Sequence, residues 1–189
     1  DQEAHVGRTE PRAGTLINLG SVESQVPLAY HGSYAATKAG IWALGRALTE
    51  EIRLAGMKHR IKVVTIMPWA ADTPFWQHAA NYSGRKGRMA AMDDPDKVVR
   101  AIVWSSLHPR EELPVGWKAQ AVSTMHTIMP DLIEEVSGNI AHAEQMRKAS
   151  AQTPGPGSLH RPIAEGRNVE GGVRKRMKAE DDARKRQPR

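Results

Sequence analysis

Three side chains near the beginning of the chain have the types and the spacing for acid–base chemistry: Ser21, Tyr34 and Lys38. An unperturbed phenol has a pKa of roughly 10 and is a poor proton donor or acceptor near neutral pH. Tyr34 and Lys38 are four residues apart, so on a helix they lie one turn from each other, and a neighbouring cation favours the phenolate. The spacing therefore predicts that Lys38 lowers the pKa of Tyr34, which then serves as a general acid or base.

The elements expected around these side chains bring them to one place. Residues 15–19 are mostly β-branched or apolar and precede a glycine, which predicts a short buried strand with Ser21 at its carboxyl end. In open α/β sheets, ligands bind at that end of the strands. Ser33 is a candidate N-cap for a long helix that runs to about Ala55. Its small and apolar residues fall on one face: Ala36, Gly40, Ala43, Leu44, Ala47, Leu48 and Ile52.

A second strand is predicted at residues 61–67, which are mostly apolar and β-branched. A strand, helix and strand of these lengths form a crossover with parallel strands. Pro68 and Thr73 therefore open on the same edge of the sheet as Ser21.

Later segments continue the alternation of helix and strand. Asp94 followed by proline is a strong helix start, and the apolar repeat predicts a helix over 95–107. A short last strand is predicted at 113–117, followed by helices at 119–129 and 131–146. The pattern indicates an α/β fold.

The long segment between the second strand and this helix is irregular. Residues 75–92 contain Trp76, His78 and Tyr82. Two interpretations stay open: a substrate-binding flap, since a long loop beside an active edge is often functional, or a surface loop that the two aromatic residues anchor. No second histidine or carboxylate stands at metal-ligand spacing from His78 in the sequence, so no metal site is predicted.

The ordered motifs resemble one known family. INLGS, YAATK and IKVVTIMPWAADTPF, read together over roughly residues 14–117, look like the catalytic half of the short-chain dehydrogenase/reductase family. Trp69 stands where the family usually has glycine after Pro68. A serine hydrolase is a poor alternative, because Ser21 lacks the flanking glycines of the G-x-S-x-G elbow.

The resemblance implies a Rossmann-like doubly wound parallel sheet and NAD(P)-dependent oxidoreduction of a small-molecule carbonyl/alcohol pair. Tyr34 would pass the proton, Lys38 would also bind the nicotinamide ribose, and Ser21 would hydrogen-bond the substrate oxygen. Pro68 and Thr73 would border the nicotinamide. A homo-oligomer formed through the long helix is also implied. The choice between NAD and NADP is left undetermined.

The family's cofactor-binding half has no counterpart in this sequence. No G-x-G-x-x-G or T-G-x-x-x-G-x-G occurs, and the first residue is not methionine. Residues 1–13 are thus interpreted as a polar remnant and 14–148 as the last strands and helices of the catalytic domain. The alternative function is a truncated fragment without catalysis, with at most a binding or oligomerisation role. Such a fragment would bind NAD(P) poorly.

The positive charge of the chain is concentrated at its carboxyl end. The net charge is +6, and residues 171–189 contain eight Lys or Arg against three acids. Residues 149–189 are interpreted as a disordered basic tail. No aromatic residue interleaves the charges of 171–189, so nucleic-acid binding is not predicted.

Several classes of protein are excluded by composition. Cysteine is absent, which rules out disulfides and cysteine metal sites. No apolar run approaches the roughly 18 residues that a bilayer span requires. With a mean hydropathy of −0.53 and no secretory signal, the sequence predicts a cytoplasmic protein.

Overall fold

The structure, a computed structural model, describes residues 13–186. Within that range the chain forms three strands and six α-helices. The strands are β1 (Gly14–Leu19), β2 (Ile61–Pro68) and β3 (Glu112–Val115). The helices are α1 (Gly32–Leu54), α2 (Phe75–His78), α3 (Pro95–Leu107), α4 (Gly116–Ile128), α5 (Pro130–His142) and α6 (Val173–Arg186). A π-helical segment, Ala143–Lys148, follows α5 directly.

The three strands form one parallel sheet in the order β1-β2-β3, as the predicted crossovers require. Leu19 is in register with Ile66, and Pro68 with Val115, so the carboxyl ends of all three strands share one edge. The predicted α/β class and parallel sheet are confirmed. None of the described helices is long and apolar enough to cross a bilayer.

Helices cover both faces of the sheet. On one face, α3 packs through Ala101 and Ile102 against the buried Val64 and Ile66. On the other face, α1 approaches so closely that a Cβ on Gly45 would lie 2.4 Å from the hydroxyl of Thr65. Successive residues of a strand point to opposite faces, so Thr65 and its two neighbours separate the layers. The strands thus form the middle layer that positions α1.

The helix that carries Tyr34 differs from its prediction at its start. It begins at Gly32 with His31 as N-cap, and Ser33 makes no cap. Most of the small and apolar residues on the predicted face are exposed: Ala36, Gly40, Ala43, Leu44 and Ala47. The sheet instead takes the flank that contains Ala35 and Gly45.

Much of the predicted disordered tail is ordered in the structure. Residues 173–186 form α6, and the carboxylate of Asp72 caps its first turn by accepting hydrogen bonds from the backbone N–H groups of Val173 (2.8 Å) and Arg174 (3.1 Å). Composition shows a run of charges but not their partners, and a capping aspartate a hundred residues earlier leaves no local signal. The same helix is held further along by Arg88, which is 1% exposed.

Candidate active site

Ser21 is held rigidly where β1 leaves the sheet. It is 7% exposed, and it caps the 3-10 turn Val22–Ser24 by accepting a hydrogen bond from the backbone N–H of Glu23 at 3.1 Å. In return, the hydroxyl of Ser24 accepts from the backbone N–H of Ser21 at 3.1 Å. This reciprocal box fixes both the backbone and the hydroxyl of Ser21 at the sheet edge.

Tyr34 lies in the first turn of α1 and meets Ser21. Burial raises the pKa of Tyr34, the hydrogen bond with the Ser21 side chain works to lower it, and the carboxylate of Glu23 raises it. The net direction is upward. The predicted lowering of the pKa of Tyr34 is therefore not the net effect in this structure, because burial and the charge of Glu23 outweigh the stabilisation of the phenolate.

Lys38 lies one turn beyond Tyr34 and turns inward. Its Nζ donates to the carbonyl oxygen of Leu19 at 2.8 Å and lies 5.6 Å from the centroid of the Tyr34 ring. Burial lowers the pKa of Lys38. An ammonium has three N–H groups, so the bond to Leu19 leaves two for another acceptor. The structure thus brings together all three residues that the sequence predicts for the site.

Beside Tyr34 lies an ionisable pair, His31 and Glu23, which the sequence did not predict. The Nδ1 of His31 lies 3.0 Å from the carboxylate of Glu23, and its Nε2 lies 2.6 Å from the amide nitrogen of Gln145. The His31 and Tyr34 rings meet edge-on, with centroids 6.3 Å apart. The only sequence signal was the position of His31 three residues before Tyr34; nothing local points to Gln145.

The field of Glu23 at Tyr34 can be tested directly. Glu23→Gln is expected to lower the pKa of Tyr34, because a negative charge that disfavours the phenolate is removed. Absorbance titration of the phenolate measures this, with a Tyr34→Phe variant giving the contribution of the other tyrosines. Glu51→Gln, an exposed change on the same helix, should leave the titration unchanged. An upward shift in Glu23→Gln would contradict the assignment.

Trp69, which stands where the family usually has glycine, packs inward in the turn after β2. The ring nitrogen of Trp69 donates to the carbonyl of Ala90 at 3.0 Å, and the ring packs on the buried cluster of Val22, Val26, Ala119 and Ile133. Trp69 therefore belongs to the core. Pro68 is the last residue of β2, one residue beyond the predicted end of the strand. Thr73 is half-buried and packs closely against Gly171, where an added Cβ would lie 2.3 Å from the carbonyl oxygen of Thr73.

The loop after this turn reaches the site at one end. Phe75, the first residue of α2, places its ring centroid 5.6 Å from that of Tyr34. The side chain of His78 instead contacts the carboxyl-terminal segment, with its Nε2 2.9 Å from the carbonyl oxygen of Glu165. Tyr82 is 68% exposed. The predicted loop therefore divides into a first part, at Phe75, that contacts Tyr34 and a later part, at His78, that contacts the carboxyl-terminal segment.

Fold and site together define a parallel α/β protein with a serine, a tyrosine and a lysine gathered at the carboxyl edge of its sheet. The sequence profile of the short chain dehydrogenase family matches residues 5–83. The match covers somewhat less than half of the chain, and over these residues the sequence is similar to the short chain dehydrogenases.

Individual proteins described as oxidoreductases are also similar in sequence to this chain. An uncharacterized oxidoreductase of Bacillus subtilis is 27% identical over 145 residues, which cover 75% of this chain and 39% of the relative. An uncharacterized oxidoreductase of Staphylococcus epidermidis is 34% identical over 94 residues, which cover 50% of this chain and 38% of the relative. The chain thus spans about two fifths of the length of these curated relatives.

A solved structure shares the fold. The crystal structure of a short chain dehydrogenase from Burkholderia cenocepacia, in complex with NADP, superposes with a TM-score of 0.52 at 19% sequence identity. The alignment covers 66% of this chain and 47% of the other.

Proposed function

We propose that this chain supplies the proton-transfer site of an oxidoreductase that uses NAD or NADP and acts on a carbonyl/alcohol pair. One arrangement carries the proposal: where β1 ends, Lys38 donates to the carbonyl of Leu19 at 2.8 Å and lies 5.6 Å from the centroid of the Tyr34 ring, and the Ser21 side chain is near enough to Tyr34 to lower its pKa. Two relatives are described as oxidoreductases, and the Burkholderia structure contains NADP, which supports the choice of cofactor class.

The donor set of the site fits the ribose end of a nicotinamide nucleotide. Lys38 is half-buried at the sheet edge and retains two N–H groups for ribose hydroxyls. The phenol of Tyr34 is close enough to Lys38 to share such an acceptor, given the 5.6 Å between Nζ and the ring centroid. Pro68 ends the neighbouring strand β2 and Thr73 follows it at the same edge, where both would border the nicotinamide.

Each residue has a distinct part in the reaction. The nicotinamide, when bound, supplies or accepts the hydride at the substrate carbon. In reduction, Tyr34 donates its phenolic proton to the substrate oxygen as the C=O bond becomes C–O–H, and in oxidation it takes that proton back. Ser21 donates a hydrogen bond to the same oxygen and shares the charge that develops there. The ammonium of Lys38 stabilises the phenolate of Tyr34 after the proton has left.

Isotope transfer tests the proposal on the full-length protein. NADPH or NADH deuterated at the nicotinamide is incubated with a panel of ketones, and the alcohols are analysed by mass spectrometry. We expect one deuterium on the carbinol carbon of at least one product. If no ketone yields a deuterated alcohol with either cofactor, the proposed function is wrong.

Association into a homo-oligomer through α1 is part of the same proposal. The outward face of α1 is small and apolar: Gly40 is exposed, with open space where a Cβ would stand, and Leu44 is 54% exposed. Small residues allow helix backbones to approach closely, and burial of Leu44 would remove apolar surface from water. Leu44→Glu is expected to convert the oligomer to monomer in sedimentation velocity. A wild-type protein that is monomeric at tens of micromolar concentration would contradict this.

A further inference from the structure

Tyr34 belongs to a closed set of four aromatic rings. Its ring lies 5.6 Å from that of Phe75; Phe75 lies 5.8 Å from Trp76; Trp76 lies 6.5 Å from His31; and His31 lies 6.3 Å from Tyr34, all between centroids. These separations are within the range of aromatic pairs. The proposed proton donor is therefore one member of an aromatic wall, defined here as Tyr34, Phe75, Trp76 and His31.

One member of the aromatic wall is strongly exposed. Phe75 is 47% exposed, which leaves apolar ring surface facing solvent directly beside Tyr34. The planes of Phe75 and Trp76 meet at 82°, so the two rings form a right-angled corner. A flat ring placed in such a corner stacks on one ring while it presents its edge to the other, and both arrangements are favourable.

The corner is held in place from behind. The indole nitrogen of Trp76 donates to the carbonyl of Ala71 at 3.0 Å. A ring atom of Trp76 lies so close to Gly87 that an added Cβ would be 2.7 Å from it, so a larger residue at this position would displace the ring. The side-chain amide of Gln77 donates to the carbonyl of Gly171 at 2.9 Å, which ties α2 to the carboxyl-terminal segment. A wall fixed in this way loses little conformational entropy when a ligand binds.

The charges at the site favour a neutral ligand. The carboxylate of Glu23 raises the pKa of Tyr34, so its field reaches the phenolic oxygen. Glu23 is itself bound to His31 and only 12% exposed, and it is therefore not screened by bulk water. An anionic group on the Glu23 side of the reacting oxygen would be repelled by this field, whereas the charge of Lys38 is directed to the carbonyl of Leu19 and, in the proposed function, to the cofactor ribose and the phenolate.

We propose that the substrate is a neutral ketone or secondary alcohol that carries a flat aromatic ring, and that this ring stacks on Phe75 in the corner formed with Trp76. The inference rests on the proposed oxidoreductase function and adds the class of substrate to it. Phe75 is a specificity-determining residue in this arrangement, since its ring touches the substrate while Tyr34 exchanges the proton.

The test compares two ketones with the same number of carbons, acetophenone and 2-octanone, in the full-length protein. Wild type is expected to favour acetophenone in kcat/KM. Phe75→Leu keeps an apolar side chain but removes the ring, and it should reduce the ratio of the two kcat/KM values by about twofold to tenfold. Phe75→Trp retains a ring and should retain the preference. Tyr82→Leu, in the same loop and 68% exposed, is the matched control and should leave the ratio unchanged.

Binding of acetophenone, followed by saturation-transfer NMR, separates this inference from the function on which it rests. The inference is overturned if Phe75→Leu turns over both ketones with an unchanged ratio of kcat/KM values, or if wild type favours 2-octanone. Either result leaves the proposed oxidoreductase function standing. Binding that is weakened in Phe75→Leu without turnover of either ketone supports the ring site and removes the oxidoreductase function. The absence of both turnover and Phe75-dependent binding overturns the two together.

Discussion

Replacement of Tyr34 by phenylalanine is expected to reduce kcat for carbonyl reduction by about 10²–10⁴-fold, the usual contribution of a positioned general acid. The change removes only the hydroxyl, so the ring contact with Phe75 and the start of α1 should remain. Stopped-flow or steady-state kinetics on the full-length protein measure kcat, and calorimetry measures cofactor affinity. Affinity should fall far less than kcat, because Lys38 still presents its ammonium at the sheet edge.

The control for this variant is another tyrosine hydroxyl in the same region. Tyr82 is 68% exposed, and Tyr82→Phe should leave both kcat and cofactor affinity within error of wild type. Retention of near-normal turnover by Tyr34→Phe would remove Tyr34 from the mechanism. Equal losses in both variants would show that the effect comes from the loop and not from proton transfer.

The raised pKa of Tyr34 also sets the direction of the pH dependence. Reduction needs the protonated phenol, and a pKa raised by burial keeps the phenol protonated through neutral into alkaline solution. Oxidation needs the phenolate, so its rate should increase with pH over the same interval. Because the Glu23 carboxylate raises the pKa, Glu23→Gln should move both limbs toward lower pH.

The sequence was sufficient for what is local or periodic. The strands at 15–19 and 61–67 are mostly apolar or β-branched, and each appears in the structure within about one or two residues of the prediction, as is usual for element boundaries. Asp94 caps α3 as predicted, with its carboxylate accepting from the backbone N–H of Asp96 at 3.0 Å. The grouping of Ser21, Tyr34 and Lys38 followed from the crossover, because strand and helix lengths fix which ends meet.

What could not be predicted depends on contacts between distant residues. The pKa of Tyr34 is set by burial and by Glu23, and neither depends on the spacing to Lys38 that suggested the opposite direction. Gln145 reaches His31 across more than a hundred residues of sequence. The outward face of α1 carries the same small and apolar residues as a buried face would, and only the packed structure shows which flank the sheet covers.

The carboxyl-terminal segment is the clearest case, and Arg88 is its key residue. Arg88 is 1% exposed and binds three carboxylates: Glu144 at 2.6 Å, Glu180 at 3.1 Å and Asp181 at 2.6 Å. Burial alone would lower the pKa of Arg88, but the bonds to Glu144 and Asp181 raise it, so the guanidinium stays charged. One buried cation thereby joins the loop after β2, the π-helical segment and α6.

Arg88→Met is expected to destabilise the protein by up to about 3–5 kcal/mol, because the buried carboxylate of Glu144 loses one of its two cationic partners and keeps only Lys148. Glu180 and Asp181 are less buried and keep Arg176 and Arg184 as partners. Chemical denaturation measures the free energy of unfolding, and hydrogen exchange of amides 173–186 should show that α6 detaches first. Arg53→Met is the matched control: Arg53 is half-exposed in its pair with Glu50, and exposed pairs contribute about 1 kcal/mol or less. Unchanged protection of α6 in Arg88→Met would contradict the assignment.

Acid should have the same effect as the mutation. Burial works to raise the pKa of Glu144 and of Asp181, but hydrogen bonds from Lys148 and Arg88 to Glu144, and from Arg88 and Arg184 to Asp181, hold both below their ordinary values. A carboxyl group with a lowered pKa stabilises the fold at pH values above its unfolded pKa of about 4, and this stabilisation is lost as pH falls through the folded value. The protection factors of the α6 amides, corrected for the intrinsic exchange rate at each pH, should therefore fall below about pH 4 in wild type. Arg88→Met combined with Glu144→Gln and Asp181→Asn removes the two carboxyl groups with lowered pKa values, so that fall should be largely absent, and the stability lost in Arg88→Met should be partly recovered.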